Sequence, residues 1–222
     1  MIVTIDGPSG AGKTTVSKAV ADELGFARLD TGALYRAVGL AARLAGVDAD
    51  DQAAVAAWLP GLAIDARPQG GAFVVLHDGR DVEPLIRTEE MGAWASKLSA
   101  QAAVRQKLLE LQRRAALAGD LVCEGRDMGT VVFPAAQAKF FLTARPEVRA
   151  ARRLAELRPG DPTLTLERVL AEITSRDQRD SSRSQSPLKP AADAVIIDAS
   201  ELSPAQVTAQ MVGRVRQLRK GD

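Results

Sequence analysis

The sequence predicts an α/β fold, with a parallel β-sheet that carries helices on both faces. Three observations predict it: an apolar, β-branched segment at 1–6, a glycine-rich loop directly after it, and short apolar runs that alternate with helical patterns along the 222 residues. Such alternation makes successive strands parallel and lays the connecting helices over the sheet. A chain of this length is expected to form one large domain.

In the first half of the chain, glycines and acidic residues mark the ends of the elements. Gly25 and Gly46 are typical of helix C-termini, and Asp50 or Asp51 is typical of a helix N-cap. The predicted elements are, in order, a strand at 1–6, a helix at 13–24, a strand at 26–30, a helix at 32–45 and a helix that ends near 58.

Residues 62–83 change character, because their polarity alternates with a period of two. The run "QGG" at 69–71 supplies a turn, and Pro84 closes the segment. These signals predict a β-hairpin that is inserted into the fold and carried on the main sheet.

Helical and strand patterns alternate again in the second half, and Ser203-Pro204 is typical of a helix start. The predicted helices lie at 88–100, 102–118, 146–157, 165–180 and 204–219, and the predicted strands at 119–125, 138–144 and 193–200.

Composition narrows the classes of partner. Lysine and arginine total 29 against 28 acidic residues, and this balance does not suit a nucleic-acid-binding surface. Arginine makes up 22 of the 29, and its planar fork of donors suits phosphate. Cys123 is the single cysteine, and no apolar run reaches the roughly 18 residues of a membrane span. We therefore expect a cytoplasmic protein, monomeric, with neither nucleic acid nor membrane as partner.

The strongest motif is Gly7-x4-Gly12-Lys13-Thr14, which fits the phosphate-loop pattern between a strand and a helix. Its backbone N–H groups converge on phosphate oxygens, Lys13 reaches the β- and γ-phosphates, and the Thr14 hydroxyl ligates Mg²⁺. The residues expected to bind the triphosphate are Gly7, Pro8, Ser9, Gly10, Ala11, Gly12, Lys13, Thr14 and Thr15.

The phosphate loop leaves the acceptor open. A GTP switch would need an N-K-x-D motif, and the chain has none. A motor or transporter ATPase needs a carboxylate after a strand, and Glu124 could fill that place. A nucleotide kinase fits best, because a phosphate acceptor is already mostly dianionic at pH 7 and needs no general base. The only histidine, His77, lies on the predicted hairpin. Such a scarcity of histidine does not suit general-base chemistry but is expected of a nucleotide kinase.

Three further segments place charged residues beside predicted strand or helix ends: "LDTGALYRA" at 29–37, "CEGRDMGTVVFP" at 123–134 and "RDQRDSSR" at 176–183. With these segments, the chain closely resembles bacterial-type cytidylate kinases, which are P-loop enzymes of the nucleoside monophosphate kinase group. The resemblance continues through "IRTEEMGAWAS" and "PLKPAADAVIID" and covers essentially the whole chain. It implies ATP as co-substrate, Mg²⁺, and transfer of the γ-phosphate to CMP or dCMP.

The resemblance also implies roles for individual residues. Arg36, Arg126 and Arg183 would hold the acceptor phosphate, Arg176 and Asp180 would lie at the sugar, and Thr31, Ser96, Arg105 and Asp127 would contact the pyrimidine nucleotide. A carboxylate that accepts from the cytosine amino group would meet an acceptor in uracil, which favours CMP over UMP. A kinase for another monophosphate such as UMP, or an ATP-dependent switch or binding protein, remains the alternative.

The expected organisation is a single P-loop kinase domain over 1–222, with a monophosphate-binding subdomain at 31–105 that includes the hairpin, and a short lid at about 149–175. Among the lid arginines Arg149, Arg152 and Arg153, we expect Arg152 to reach the transferring phosphoryl group, so the expected catalytic residues are Lys13, Arg36, Arg126, Arg152 and Arg183. Position 124 is commonly Asp in this family and is Glu here; Glu124 and Asp6 are secondary candidates near the metal.

Overall fold

The computed structural model describes residues 1–220 and contains one eight-stranded sheet. The strands are β1 (Ile2–Asp6), β2 (Ala27–Asp30), β3 (Ile64–Gln69), β4 (Ala72–His77), β5 (Arg80–Asp81), β6 (Leu121–Gly125), β7 (Ala138–Thr143) and β8 (Val195–Asp198). Their order across the sheet is β3-β4-β2-β6-β1-β7-β8, and β5 pairs with β4.

The centre of this sheet is parallel. β1 lies between β6 and β7, so that Val3 is opposite Val122 on one side and Ala138 on the other. β2 pairs in parallel with β6, and β8 pairs in parallel with β7. All five of these strands therefore direct their carboxyl ends to one edge of the sheet, where ligands bind in open α/β folds.

Helices cover both faces of the sheet. They are α1 (Lys13–Leu24), α2 (Thr31–Leu44), α3 (Gln52–Trp58), α4 (Glu83–Ile86), α5 (Glu89–Leu98), α6 (Ala102–Ala115), α7 (Pro146–Leu157), α8 (Leu166–Ser181) and α9 (Pro204–Lys220). Along β6, Leu121 and Cys123 belong to the core with α2, α5 and α6, whereas Val122 belongs to the core with α1 and α9. This alternation confirms the predicted α/β class with two helical layers.

The hairpin predicted at 62–83 is present as β3 and β4, which pair antiparallel from Ile64↔His77 to Gln69↔Ala72. β4 joins the parallel centre through a single pair with β2, Arg28↔Ala72. The hairpin thus extends the edge of the main sheet, as its alternating polarity indicated.

The differences from the sequence prediction lie mostly at element ends. The helix predicted at 88–100 is α5, and a separate one-turn helix, α4, precedes it. The helix predicted at 102–118 ends as an α-helix at Ala115 and continues as a 3₁₀ turn. A π-helical turn at Met128–Val132 was not predicted. Between residues 1 and 220, no helix has the length and apolar character to cross a bilayer.

Candidate active site

A cavity of about 520 Å³ opens at the carboxyl ends of β1, β2 and β6. It is lined by the phosphate loop after β1, by Asp30 to Gly32 at the end of β2, and by Glu124 to Asp127 at the end of β6. Three segments that are far apart in the chain meet here because their strands are neighbours in the sheet. The cavity is therefore where a ligand of an α/β fold is expected.

The phosphate loop is shaped by its glycines. Gly12 has φ 91°, a left-handed conformation that side chains rarely adopt, and it caps the N-terminus of α1. A Cβ at Gly7 would lie 2.0 Å from the carbonyl oxygen of Leu142, so no larger residue fits there. Lys13 folds back across the loop and donates to the carbonyl oxygen of Pro8 at 2.6 Å. Burial, with the nearby positive charge of Arg126, lowers the pKa of Lys13 well below its usual range.

Glu124 supports the start of α1 from the end of β6. Its carboxylate accepts hydrogen bonds from the hydroxyl groups of Thr14 at 3.0 Å and Ser17 at 2.8 Å, and from the guanidinium of Arg28 at 3.1 Å. Burial raises the pKa of this carboxyl, and Asp30 raises it further. Thr14 and Glu124 both line the cavity, and their hard oxygen atoms are of the type that Mg²⁺ prefers.

Within residues 1–220, no group of three or more His, Cys, Asp or Glu side chains could hold a metal by itself. Mg²⁺ typically keeps several waters and takes one or two protein ligands in addition to substrate phosphates. Asp6, the other carboxylate considered for the metal, lies elsewhere: both of its oxygens accept backbone N–H groups, from Met128 and Gly129, each at 2.8 Å.

Asp180 holds together two of the arginines predicted to bind the acceptor. Arg126 donates through Nε to Asp180 at 2.9 Å, and Arg183 donates to the other carboxylate oxygen. Arg183 also donates to the hydroxyl of Ser99 at 2.8 Å. Asp180 is 1% exposed, so the carboxylate that joins the two arginines is almost fully shielded from water. Its geometry fixes two guanidinium groups at the cavity wall.

Two more arginines add positive charge to the same wall. Burial and the neighbouring Arg126 lower the pKa of Arg176 to about 9, and burial also lowers the pKa of Arg36. Arg176 Nε is buried and has no hydrogen-bond partner within residues 1–220. A buried surplus of cations with unused donors is electrostatically suited to an anionic ligand.

Three of the four residues predicted to contact the pyrimidine nucleotide, Thr31, Arg105 and Asp127, also line the cavity. Arg105 donates to the carboxylate of Asp127, and its guanidinium lies 5.8 Å from the centre of the Tyr35 ring. The hydroxyl of Thr31 donates to the backbone carbonyl of Glu124 at 2.7 Å. Ser96 is buried behind this wall, where its hydroxyl accepts from Arg179 at 3.4 Å.

The structure thus gathers most of the predicted residues around one cavity. Those that line it are Ser9 to Thr15, Thr31, Arg36, Arg105, Arg126, Asp127, Arg152, Arg176, Asp180 and Arg183. Gly7, Pro8 and Ser96 are outside the lining. This placement agrees with the predicted roles but does not assign them, so the roles stay predictions.

The predicted lid arginines have three different environments. Arg149 is 5% exposed and donates to the carbonyl oxygens of Ala144 at 2.8 Å and Ser9 at 2.9 Å, and to Asp177 at 2.5 Å. Arg152 lines the cavity and donates to the carbonyl oxygen of Ala199 at 2.7 Å. Arg153 also lines the cavity and pairs with Glu156 at 3.0 Å.

The sequence indicated no role for two residues of this region, Ser99 and Asp177. Ser99 lines the cavity and orients Arg183, but a lone serine after a helix carries no signal of its own. Asp177 binds both Arg149 and the backbone N–H of Ser9, the latter at 3.2 Å. Asp177 stands inside the motif "RDQRDSSR", which could have marked it.

A phosphate loop that faces a wall of arginines across one cavity defines a P-loop kinase. A family model described as cytidylate kinase matches residues 3–217. The chain belongs to the cytidylate kinase family, which confirms the resemblance found in the sequence.

Curated relatives support the same family along the full chain. The cytidylate kinase of Citrifermentans bemidjiense is 47% identical over 223 residues, covering 100% of this chain and 96% of that protein. The cytidylate kinase of Pasteurella multocida is 44% identical over 217 residues, covering 98% and 96%. Among solved structures, an uncharacterized protein from Eubacterium ventriosum has a TM-score of 0.54 at 11% identity, covering 97% of this chain and 98% of that one, a likeness of fold alone.

Proposed function

We propose that this chain transfers the γ-phosphoryl group of ATP to CMP, giving ADP and CDP. The observation that carries the proposal is the position of the Arg126–Asp180–Arg183 group across one cavity from the phosphate loop. The relatives named above are cytidylate kinases, and they do not favour the alternatives of a UMP kinase or of a switch protein.

On the donor side, the backbone of the phosphate loop and Lys13 would hold the triphosphate. The cavity wall beyond the loop carries Leu202, Pro204 and Val207, with Arg152 next to them. An apolar wall with a planar guanidinium suits the faces of a purine ring. We assign the adenine to this end, where Arg152 would contact the ring in addition to the phosphoryl group.

On the acceptor side, four arginines would draw the CMP phosphate towards the γ-phosphate: Arg36, Arg126, Arg176 and Arg183. Two anions must come into line, so the work of the site is positioning and charge cancellation. The attacking oxygen is already ionised at pH 7, and no proton has to be removed from it. Closure of the lid at about 149–175 and of the subdomain at 31–105 would exclude water and suppress hydrolysis of ATP.

Base selection is assigned to Asp127 and Arg105. The carboxylate would accept from the amino group of cytosine, and donors of Arg105 would face the ring acceptors. Uracil offers an oxygen at the amino position, which leaves a buried carboxylate against an acceptor, at a cost of about 1–3 kcal/mol. Arg176 and Asp180 would contact the sugar away from its 2′-hydroxyl, so that dCMP is also accepted.

Mg²⁺ would be held by the Thr14 hydroxyl, with Glu124 acting on it through water. When bound, it neutralises charge on the β- and γ-phosphates. We further propose that the protein acts as a monomer in the cytoplasm, in pyrimidine nucleotide metabolism, with neither nucleic acid nor membrane as partner. The near-neutral charge and the single cysteine support this setting.

An acceptor panel tests the proposal. ADP formation is measured with ATP and Mg²⁺ against CMP, dCMP, UMP, AMP, GMP and no acceptor. We expect turnover with CMP and dCMP, with kcat/KM for CMP at least tenfold above that for UMP. In the same assay, Asp127→Ala should lose most of its CMP use while its KM for ATP changes little. ADP formation at the same rate with and without an added monophosphate would overturn the proposal.

A further inference from the structure

Asp6 lies at the end of β1, one strand away from the segment that carries Asp127. It is 3% exposed and is not part of the cavity lining. One carboxylate oxygen accepts the backbone N–H of Met128 and the other accepts that of Gly129, both at 2.8 Å. These are the two residues that follow Asp127 in the chain.

The same two N–H groups open the π-helical turn Met128–Val132. The first N–H groups of a helical segment have no partner within it, and side chains commonly supply one. Here the partner comes from a different strand, because Asp6 is 122 residues from Met128 in sequence. Asp6 therefore caps this turn from outside and anchors it to the centre of the sheet.

Asp127 is held from its other side by the turn itself. Its carbonyl oxygen accepts from the backbone N–H groups of Val131 at 2.9 Å and Val132 at 3.2 Å. With its carbonyl bound in the turn and the next two N–H groups bound to Asp6, the backbone at Asp127 has little freedom. Such irregular helical turns are frequent at functional sites, where they aim a side chain.

Neighbouring residues pack closely against the turn. A Cβ at Gly129 would lie 3.0 Å from the hydroxyl of Thr4 and 3.2 Å from Cδ of Lys139. A Cβ at Gly125, on the strand side of Asp127, would lie 2.8 Å from the Thr31 hydroxyl. The bonds to Asp6 therefore act on a closely packed turn, so a small change in them is expected to shift the backbone at Asp127.

A direct role for Asp6 at the metal does not fit these contacts. Both oxygens are occupied by backbone donors, whereas Glu124 at the end of the adjacent strand meets Thr14 at 3.0 Å. Two buried carboxylates at neighbouring strand ends thus face different parts of the site.

We propose that Asp6 is a positioning residue for base recognition, which holds the turn that aims Asp127 and so sets the affinity and selectivity for CMP. This rests on the proposed function, in which Asp127 reads the cytosine amino group. Asp6 touches neither nucleotide and acts only through the backbone of the turn.

The test is Asp6→Asn, which keeps the size of the side chain but turns one acceptor into a donor that faces an N–H group. We expect KM for CMP to rise roughly tenfold and the CMP-over-UMP ratio of kcat/KM to fall by a similar factor, since a lost charged hydrogen bond is of that order. KM for ATP should change less than about threefold. Glu124→Gln, measured in parallel, should give the opposite pattern, with ATP and Mg²⁺ dependence affected first.

Gly129→Ala disturbs the same contact from the side of the turn and should reproduce the loss of CMP selectivity. Gly129→Ala also tests the proposal if thermal unfolding shows that Asp6→Asn does not fold. An equal rise in KM for ATP and CMP, or an unchanged CMP-over-UMP ratio in a folded variant, would overturn the proposal. A wild-type protein that does not prefer CMP would instead refute the proposed function itself.

Discussion

The hydroxyl of Thr14 donates to the carboxylate of Glu124 at 3.0 Å, which joins the first turn of α1 to the end of β6. The same carboxylate also accepts from Ser17 at 2.8 Å, one turn further along α1. The helix that begins at the phosphate loop is therefore fixed by the strand that leads to Arg126 and Asp127, which we propose bind the acceptor. Glu124 thus connects the phosphate loop, proposed to bind the donor, with the segment proposed to bind the acceptor.

Glu124→Gln is expected to weaken the use of Mg²⁺. The amide keeps the shape of the side chain but loses the charge, and with it the attraction for a hydrated cation near Thr14. The Mg²⁺ concentration for half-maximal activity should rise severalfold, while KM for CMP stays within about twofold. A titration of activity with Mg²⁺ at fixed ATP measures this. An unchanged Mg²⁺ dependence would mean that Glu124 only supports the helix.

Asp180→Asn should disable the acceptor site. Although burial alone would raise it, the charges of Arg126 and Arg183 lower the pKa of Asp180, so the carboxylate is ionised at neutral pH. Removing one charge from a buried group costs about 3–5 kcal/mol and leaves both guanidinium groups unaligned.

We expect KM for CMP to rise at least tenfold in this variant, with a lower unfolding temperature and little change in KM for ATP. Asp193→Asn is a matched control, because its exposed carboxylate pairs with Lys139 at 2.9 Å and lies outside the cavity lining. If both variants behave alike, the arginines do not depend on Asp180.

Arg149→Lys should weaken ATP binding. The guanidinium bridges Ala144, Ser9 and Asp177, and a lysine ammonium lacks the planar fork that reaches all three. Ser9 belongs to the phosphate loop, so its backbone would lose one of its two anchors on α7 and α8. Steady-state kinetics should give a KM for ATP that is roughly tenfold higher.

Arg168→Lys provides the comparison for this change, since Arg168 is exposed and its guanidinium pairs with Glu172 at 3.3 Å. Surface pairs of this kind contribute little, so its KM for ATP should match the wild type. Equal kinetics of Arg149→Lys and Arg168→Lys would exclude a role of Arg149 in shaping the loop.

Asp6 should also give the protein a distinctive pH dependence of stability. Burial raises the pKa of Asp6 from 3.8 to about 6. A folded-state pKa above the unfolded one stabilises the protein fully below about 3.8, and that stabilisation is lost as the pH rises through about 6. The full change corresponds to about 3 kcal/mol.

Asp6→Asn lacks this titration. The difference in unfolding free energy between wild type and variant should therefore shift against the wild type between pH 4 and pH 7. Urea unfolding of both proteins at several pH values measures it. A difference that is constant with pH would show that Asp6 has an ordinary pKa in the folded state.

Much of the architecture could be read from local patterns. The β-branched run before Gly7 and the glycines after helices are short-range signals, and the elements they indicated are present. The π-helical turn after Asp127 could not be foreseen, because its stability depends on Asp6, which is far away in sequence. Propensity says nothing about a cap that comes from another strand.

The candidate site also combines features that local motifs indicated with features that depend on tertiary contacts. The motifs marked Arg126, Asp180 and Arg183 as a functional set, yet the sequence did not indicate that Asp180 bridges the two arginines. Nor did it separate the lid arginines: Arg149 and Arg152 stand three residues apart, yet Arg149 is buried against Ser9 and Asp177 whereas Arg152 lines the cavity. Such distinctions arise from tertiary contacts between α7, α8 and the loops.

The central claim, transfer from ATP to CMP, is tested most directly by following the γ-phosphate. ATP labelled in its γ-phosphoryl group is incubated with the protein, Mg²⁺ and CMP, and the products are separated. We expect the label to appear in the β-phosphate of CDP, with little free phosphate. Label that appears as inorganic phosphate at the same rate with and without CMP would contradict it.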